Sequence, residues 1–337
     1  MTLDYVPIID LSDFRTGDAG KRREVVDEFA RACTDIGFLV IKGHGVDPTL
    51  CGDAEKAADA FFSLPLEEKL KVSQWSDDVP RGFSRIEAES LAYLSGKETP
   101  GDLKESFTMG PPEIPEDDPY YDAAGSLQLF ARNIWPPTPP EFREAMVKYY
   151  RAMEHLSDDV MRVFALALGL DETYFQPVVD RHTSAFRVIH YPEQKTAPMP
   201  GQLRAGEHTD YDSFTLLWRG GYAAGLQVLN KAGEWIDVPE VKNAYVVNIG
   251  DCLMQWTNDQ WVSTRHRVVN PPEDAASTKR ISLVYFQQPN YDAVIKCLPT
   301  CQSADRPVKY PPVSFGEYLH RRFTSQTRFE VTGEAGY

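Results

Sequence analysis

The sequence is short of cysteine. Five thiols, Cys33, Cys51, Cys252, Cys297 and Cys301, are scattered over 337 residues. An odd, unevenly spaced set does not build the disulfide framework of a small secreted domain. Cys297 and Cys301 are close, but a structural zinc site needs a second Cys/His pair nearby, and none is present. Such thiols suit the reducing cytoplasm, which is the expected location. Long apolar runs are also missing. No window approaches the roughly 20 apolar residues of a membrane span, and the opening MTLDYVPIIDLSDF has early acids where a secretory signal would have an apolar stretch. Positive charge is in deficit, with 35 Lys and Arg against 50 Asp and Glu and a formal net charge of −15. That balance argues against nucleic acid or a membrane surface as the main partner, while leaving room for a local positive pocket. There are no repeats and no low-complexity tract.

What is present suffices for a large core. Hydrophobic residues make up 42% of the chain and charged residues 25%, which fits one large soluble domain or two moderate ones. VPIIDL, at 6–11, reads as a short strand. KRREVVDEFARACTDI places Val25, Val26, Phe29, Ala30, Cys33 and Ile36 at helical spacing, and Gly37 ends it before the strand FLVIK. Residues 50–63 form a second amphipathic helix. From 72 to 138 the chain is rich in Pro, Asp and Gly and reads as long ordered loops with short strands, of the kind that often carry function. A long helix runs from about 140 to 168. From 183 onward short β-type runs alternate with turns (SAFRVIHY, FTLLWR, GLQVLN, EWIDVP, AYVVNIG, TRHRVVN, RISLVYF), the pattern of a sandwich or barrel. SFGEYLHRRFTSQ closes the chain as a helix.

The run GEHTDYDSFTLL reads as strand, and in a strand residues i and i+2 share a face. His208 and Asp210 would then project together, a costly polar pair unless something occupies it. His266, several strand-like runs later in STRHRVVN, is placed to return beside them. Two histidines and one carboxylate with open positions are the ligand set of non-heme Fe(II) oxygenases; zinc accepts the same donors. In the run beginning Arg280-Ile281-Ser282, alternation puts Arg280, Ser282, Val284 and Phe286 on one face. An arginine fork beside a hydroxyl is a receptor for a carboxylate. In RVIHYP, Arg187, Ile189 and Tyr191 share a face, and Tyr191 can offer its phenol to the same carboxylate. Iron ligands beside such a receptor describe a metal chelated by a 2-oxo acid whose far carboxylate is clamped.

At this point the sequence resembles the isopenicillin N synthase-like group of Fe(II)/2-oxoglutarate-dependent dioxygenases, over nearly its whole length. VPIIDL, DIGFLVIKGHGV and FFSLPLEEKLK are similar to that group's N-terminal region, and RGFS and DLKESFTMG to its middle. HYP, HTDYDSFTLL, GLQV, VVNIGDCLMQWTND, STRHRVV and RISLVYFQQP follow the order of its catalytic core. Many plant members have Asn-Tyr-Tyr-Pro where this chain has Ile189-His190-Tyr191-Pro192, which points to a non-plant subgroup that keeps the tyrosine. RAGEHTDY is similar to the thymine hydroxylases, a likeness that does not assign a substrate.

The resemblance implies a mainly β fold, a double-stranded β-helix (jelly-roll) core with flanking helices. Residues 1–140 would be a helical and loop-rich N-terminal region packing on the core, 141–182 a long scaffold helix and connection, 183–312 the jelly roll, and 313–337 a C-terminal helix and tail. It implies Fe(II) at His208, Asp210 and His266, 2-oxoglutarate at Arg280, Ser282 and Tyr191, and O₂ as cosubstrate. It also implies oxidation, chiefly hydroxylation, of a small molecule with release of succinate and CO₂. The metal ligands would be the only catalytic residues. Two other readings stay open: an iron oxidase of the same fold that does not use 2-oxoglutarate, as in isopenicillin N synthase or aminocyclopropane carboxylate oxidase, and a zinc hydrolase or binding protein. Arg187 needs an acceptor if buried, which a protein carboxylate or the substrate could supply; Tyr211 and Phe286 could pack on substrate or in the core. His190 should point away from the site, and His44 and Asp251 read as fold residues. Oligomeric state is not legible.

Overall fold

The computed structural model describes residues 4–73, 81–92, 99–122, 129–220 and 224–327. Segments 74–80, 93–98 and 123–128 of the predicted loop region, and the tail 328–337, lie outside the described residues.

The N-terminal half supplies strand β1 (Ile8–Asp10), the short helix α1 (Ser12–Thr16), helix α2 (Ala19–Asp35), strand β2 (Phe38–Lys42), helices α3 (Pro48–Phe62) and α4 (Leu66–Leu70), and strands β3 (Gly82–Ser84) and β4 (Glu105–Met109). Helix α5 (Phe142–Ala167) matches the long amphipathic run. Then come β5 (Ala185–Tyr191), β6 (Ala205–His208), β7 (Phe214–Arg219), β8 (Leu226–Leu229), β9 (Trp235–Asp237) and β10 (Tyr245–Ile249). Helix α6 (Asp251–Trp256), β11 (His266–Val268), β12 (Arg280–Gln287), the β13 (Val294–Ile295) and β14 (Val313–Ser314) pair, and α7 (Phe315–Thr327) complete the chain. Among the described residues, no helix is long and apolar enough to cross a membrane.

Two sheets make the core. The larger has the order β1-β2-β10-β7-β12-β5-β4-β3 and the smaller β6-β11-β8-β9. The strands of the N-terminal region extend the larger sheet at both edges: β2 pairs with β10, and β4 with β5. Alternation sorts the side chains of the large sheet cleanly. Leu39, Ile41, Phe186, Val188, Leu216, Tyr245, Val247, Leu283 and Tyr285 join the core that includes residues of α2, α3 and α5. Phe38, Val40, Tyr191 and Val246 face the other way, into a second core shared with Ala205, Leu226, Val228 and Val268 of the small sheet. One face is therefore packed on helices and the other on the small sheet, as a sandwich requires.

Gly37 shows why α2 stops where the sequence predicts. Its φ is +67°, and a Cβ there would lie 2.0 Å from the Val262 carbonyl oxygen. Its N–H donates to Ala32 O at 2.8 Å, and its carbonyl accepts from Ile249 N at 2.9 Å. Only glycine adopts this conformation in this space without strain. Gly37→Ala is expected to destabilise the protein by about 2 kcal/mol or more, read as a lower urea midpoint with an unchanged slope.

Candidate active site

The chain crosses from the small sheet to the large one between β6 and β7, and that crossing changes the reading of GEHTDYDSFTLL. Strand β6 ends at His208; Thr209 to Ser213 are a loop, and β7 begins at Phe214. His208 and Asp210 do not sit on one strand face. The strand cannot continue because its two halves belong to different sheets. Asp210 is brought to His208 by the loop, whose backbone is tied down by Asp251 N donating to Asp210 O at 2.8 Å.

The three predicted ligands do converge. His266 and His208 are paired residues on β11 and β6, with ring centroids 4.2 Å apart. Each Nε2 lies 3.8 Å from Asp210 Oδ1. One ligand atom from each of the three falls within 4.8 Å of the others, a group that could hold a metal ion. Each histidine has its other nitrogen engaged with a backbone carbonyl, His208 Nδ1 with Gly206 O at 2.8 Å and His266 Nδ1 with Thr264 O at 3.1 Å. A carbonyl only accepts, so Nδ1 carries the proton and Nε2 keeps its lone pair for a cation. Burial first, and the neighbouring His266 second, push the His208 pKa down to about 3, against the pull of Asp210. The imidazole is therefore neutral, the form that binds metal.

Asp210 is oriented just as closely. Its Oδ2 accepts from Asn248 Nδ2 at 2.7 Å and from Thr215 Oγ1 at 2.5 Å. Thr215 and Asn248 are directly paired on β7 and β10, so both point at the carboxylate from one place. Thr215 Oγ1 also lies 3.0 Å from Asp212 Oδ2. Burial, then the charge of Asp210, raises the Asp212 pKa well above the usual range. Thr215 has one hydroxyl proton, and carboxyl oxygens of Asp210 and Asp212 both lie within its reach. Burial disfavours the Asp210 carboxylate, but His266, His208 and these hydrogen bonds outweigh it, and its pKa is lowered. Oδ1 is left facing the two Nε2 atoms. These donors suit a divalent ion with open positions.

Deeper on the inner face of the large sheet, Arg280 stands opposite Tyr191, and Ser282 opposite Ile189. Arg280 and Ser282 are each 1% exposed and Tyr191 3%. Arg280 Nε donates to Ser282 Oγ at 3.0 Å and Nη1 to Ala224 O at 3.1 Å, with the guanidinium 5.1 Å from the centre of the Tyr191 ring. Among the described residues no carboxylate lies within ion-pair distance of Arg280. A buried guanidinium in that state calls for an anion, and its pKa is lowered, chiefly by burial. Arg219, across the strand from Ser282, is held by the carbonyls of Val238 and Pro239. The donor set fits a dicarboxylate beside a metal.

The chain matches, at residues 6–138, the family described as non-haem dioxygenase in morphine synthesis N-terminal, and at 182–289 the 2OG-Fe(II) oxygenase superfamily. The chain belongs to the 2OG-Fe(II) oxygenases. It is 37% identical over 91% of its length, and 86% of the relative's, to the 2-oxoglutarate-Fe(II) type oxidoreductase hxnY of Emericella nidulans. It is 32% identical to the validamycin A dioxygenase of Streptomyces hygroscopicus subsp. limoneus, over 94% of this chain and 85% of that one. The crystal structure of a full-length Neurospora crassa protein in complex with alpha-KG and thymine superposes with a TM-score of 0.83 at 32% identity, covering 95% of this chain and 97% of that one. The expected jelly-roll fold, Fe(II) and 2-oxoglutarate as cofactors, O₂ as cosubstrate and a small-molecule substrate stand for this oxygenase, and the zinc hydrolase reading falls away.

The remaining candidates divide. Arg187, on the inner face, has its Nη1 3.2 Å from Glu89 Oε2 and donates from Nε to Thr108 Oγ1 at 3.0 Å. Phe286 alone among the β12 residues is not buried. Tyr211 lies under the Arg322 guanidinium of α7, 5.2 Å from its ring centre. His190 points to the outer face, stacked on Phe62 and paired with Glu105. His44 is held by Asn243 O and Val46 N. Asp251 pairs with Arg322. Sequence reasoning missed Thr215, Asn248 and Asp212: the loop that enters β7 brings Asp212 and Thr215 to Asp210, and the pairing of β7 with β10 brings Asn248. Thr215→Val and Asn248→Ala are each expected to weaken Fe(II) binding about ten- to a hundredfold, measured by anaerobic metal titration with the fold checked by circular dichroism.

Proposed function

We propose that His208, Asp210 and His266 hold the Fe(II), that Arg280, Ser282 and Tyr191 receive the distal carboxylate of 2-oxoglutarate, and that the reaction is hydroxylation of a small molecule. One observation carries this reading: a fully buried arginine with no carboxylate partner among the described residues, beside a serine and a tyrosine, on the sheet face that leads to three converging metal donors. Bound Fe(II) supplies the oxygen chemistry, in which 2-oxoglutarate is oxidatively decarboxylated to succinate and CO₂. The protein's own work is to bind, orient and shield. Arg280 offers parallel charge-assisted donors that a lysine cannot reproduce. Asp210 supplies a charged ligand that occupies one metal position, which favours hydroxylation over halogenation. No side chain needs to act as a general acid or base.

Arg187, Tyr211 and Phe286 are proposed to line the substrate's part of the pocket. The inner-face position of Arg187 and the open position of Phe286 support this, as does the thymine complex of the Neurospora crassa relative.

Two measurements test the reading. Anaerobic addition of 2-oxoglutarate to the Fe(II) protein should give a visible charge-transfer band, and His208→Ala should abolish it; a band that survives counts against the ligand assignment. Arg280→Lys should raise the 2-oxoglutarate Kd about ten- to a hundredfold with Fe(II) affinity unchanged. If Fe(II) affinity falls in parallel, the assigned division of labour is wrong.

A further inference from the structure

A second charged group borders the site and is not used by the metal or by 2-oxoglutarate. Lys104 Nζ lies 3.1 Å from Glu89 Oε2 and 3.6 Å from Asp102 Oδ2. Arg187 Nη1 meets the same Glu89 oxygen at 3.2 Å. Asp102 accepts from Gly206 N at 2.9 Å and Leu91 N at 3.2 Å. Gly206 precedes His208 by two residues, and a Cβ there would lie 2.8 Å from Ala92 N. The segment carrying Glu89 is thus pressed onto the strand that ends in a proposed metal ligand.

The four groups differ in access. The side chains of Lys104 and Asp102 are 4% and 2% exposed, those of Glu89 and Arg187 30% and 20%. Both cations approach Glu89 at Oε2; among the described residues nothing donates to Oε1. Arg187 uses Nε and Nη1, and its Nη2 donates to no described residue. The pair therefore keeps one acceptor and one donor without a partner among the described residues, and Arg187 shares its strand face with Ile189 and Tyr191. Charge narrows what fits. Two acids and two bases cancel within the cluster, and Fe(II), Asp210, Arg280 and a doubly charged 2-oxoglutarate cancel in the proposed centre. An ionic substrate would be buried without a counter-ion, which is costly. A neutral molecule with adjacent N–H and C=O groups meets both open valences.

We propose that Glu89 and Arg187 form the specificity-determining pair, reading a neutral carboxamide, lactam, cyclic imide or ureide edge, with Lys104 and Asp102 as their sealed counter-ions. Glu89 Oε1 accepts from the substrate N–H, and Arg187 Nη2 donates to its carbonyl. This rests on the proposed cofactor-binding residues, because the pair counts as a substrate contact only beside that centre.

The test is calorimetric titration of the protein loaded with Fe(II) and 2-oxoglutarate under nitrogen, using 2-pyridone, N-methyl-2-pyridone and benzoate. 2-Pyridone should bind at least tenfold more tightly than the N-methyl compound, which lacks the donor, and than the anion. Glu89→Gln should cut the N–H preference to below threefold. Arg187→Gln should weaken both lactams at least tenfold and keep the preference. Both variants should retain the iron–2-oxoglutarate band, which a loss of folding would remove. Preferential binding of benzoate, no discrimination between the lactams, a preference unaltered in Glu89→Gln, or no binding of any probe would overturn the proposal. Absence of the band in the unsubstituted protein would overturn the underlying cofactor assignment, and this proposal with it.

Discussion

The Asp210 carboxylate divides its two oxygens between the two sheets. Oδ2 is held by Thr215 and Asn248 of the large sheet, while Oδ1 faces the histidines of the small one. The proposed metal position exists only if the sheets keep their separation and register. The second core, from Phe38 and Val246 on one side to Leu226 and Val228 on the other, maintains that spacing. Phe38 also packs edge-on against His266, 5.2 Å between ring centres, so the same core sets the orientation of a proposed ligand.

The large sheet serves two environments through alternation. Its outer face is bound to the helices by apolar contact, with Tyr285 and Leu283 of β12 buried there. The intervening residues of that strand are Arg280, Ser282, Val284 and Phe286. Burial grades along them, from a sealed guanidinium at the start to the one open side chain near the end. β5 repeats the gradient, from buried Tyr191 opposite Arg280 to part-exposed Arg187 opposite Val284. One pair of strands thus presents the proposed anion receptor at depth and a more accessible surface further along.

Local patterns made much of this readable in advance. The helix stripe of α2, the stop at Gly37 and the strand runs after 183 follow periodicity and turn chemistry, which act over a few residues. Arg280 with Ser282, and Arg187 with Tyr191, were assignable to common faces because each pair lies inside one regular strand. The same rule applied to GEHTDYDSFTLL reached the right neighbours through the wrong geometry, since β6 ends at His208 and a loop carries Asp210. Nothing local marks a change of sheet. Glu89, Asp102 and Lys104 were illegible for a related reason. They come from irregular chain whose side chains follow no period, and their partners, Arg187 and Gly206, are remote in sequence.

The sequence by itself determined the chemical inventory and its order: two histidines and an aspartate, an Arg-x-Ser strand, and the apolar alternation that commits each strand to two faces. Those are properties of residue type and short spacing, which the chain carries before it folds. Tertiary structure decided which atoms are left over. Among the described residues, the Nε2 left to each histidine, the outward Oδ1 of Asp210, the lack of a carboxylate beside Arg280 and the remaining valences of Glu89 and Arg187 depend on hydrogen-bond partners from other strands and loops. A group's remaining capacity is set only once all its neighbours are in place.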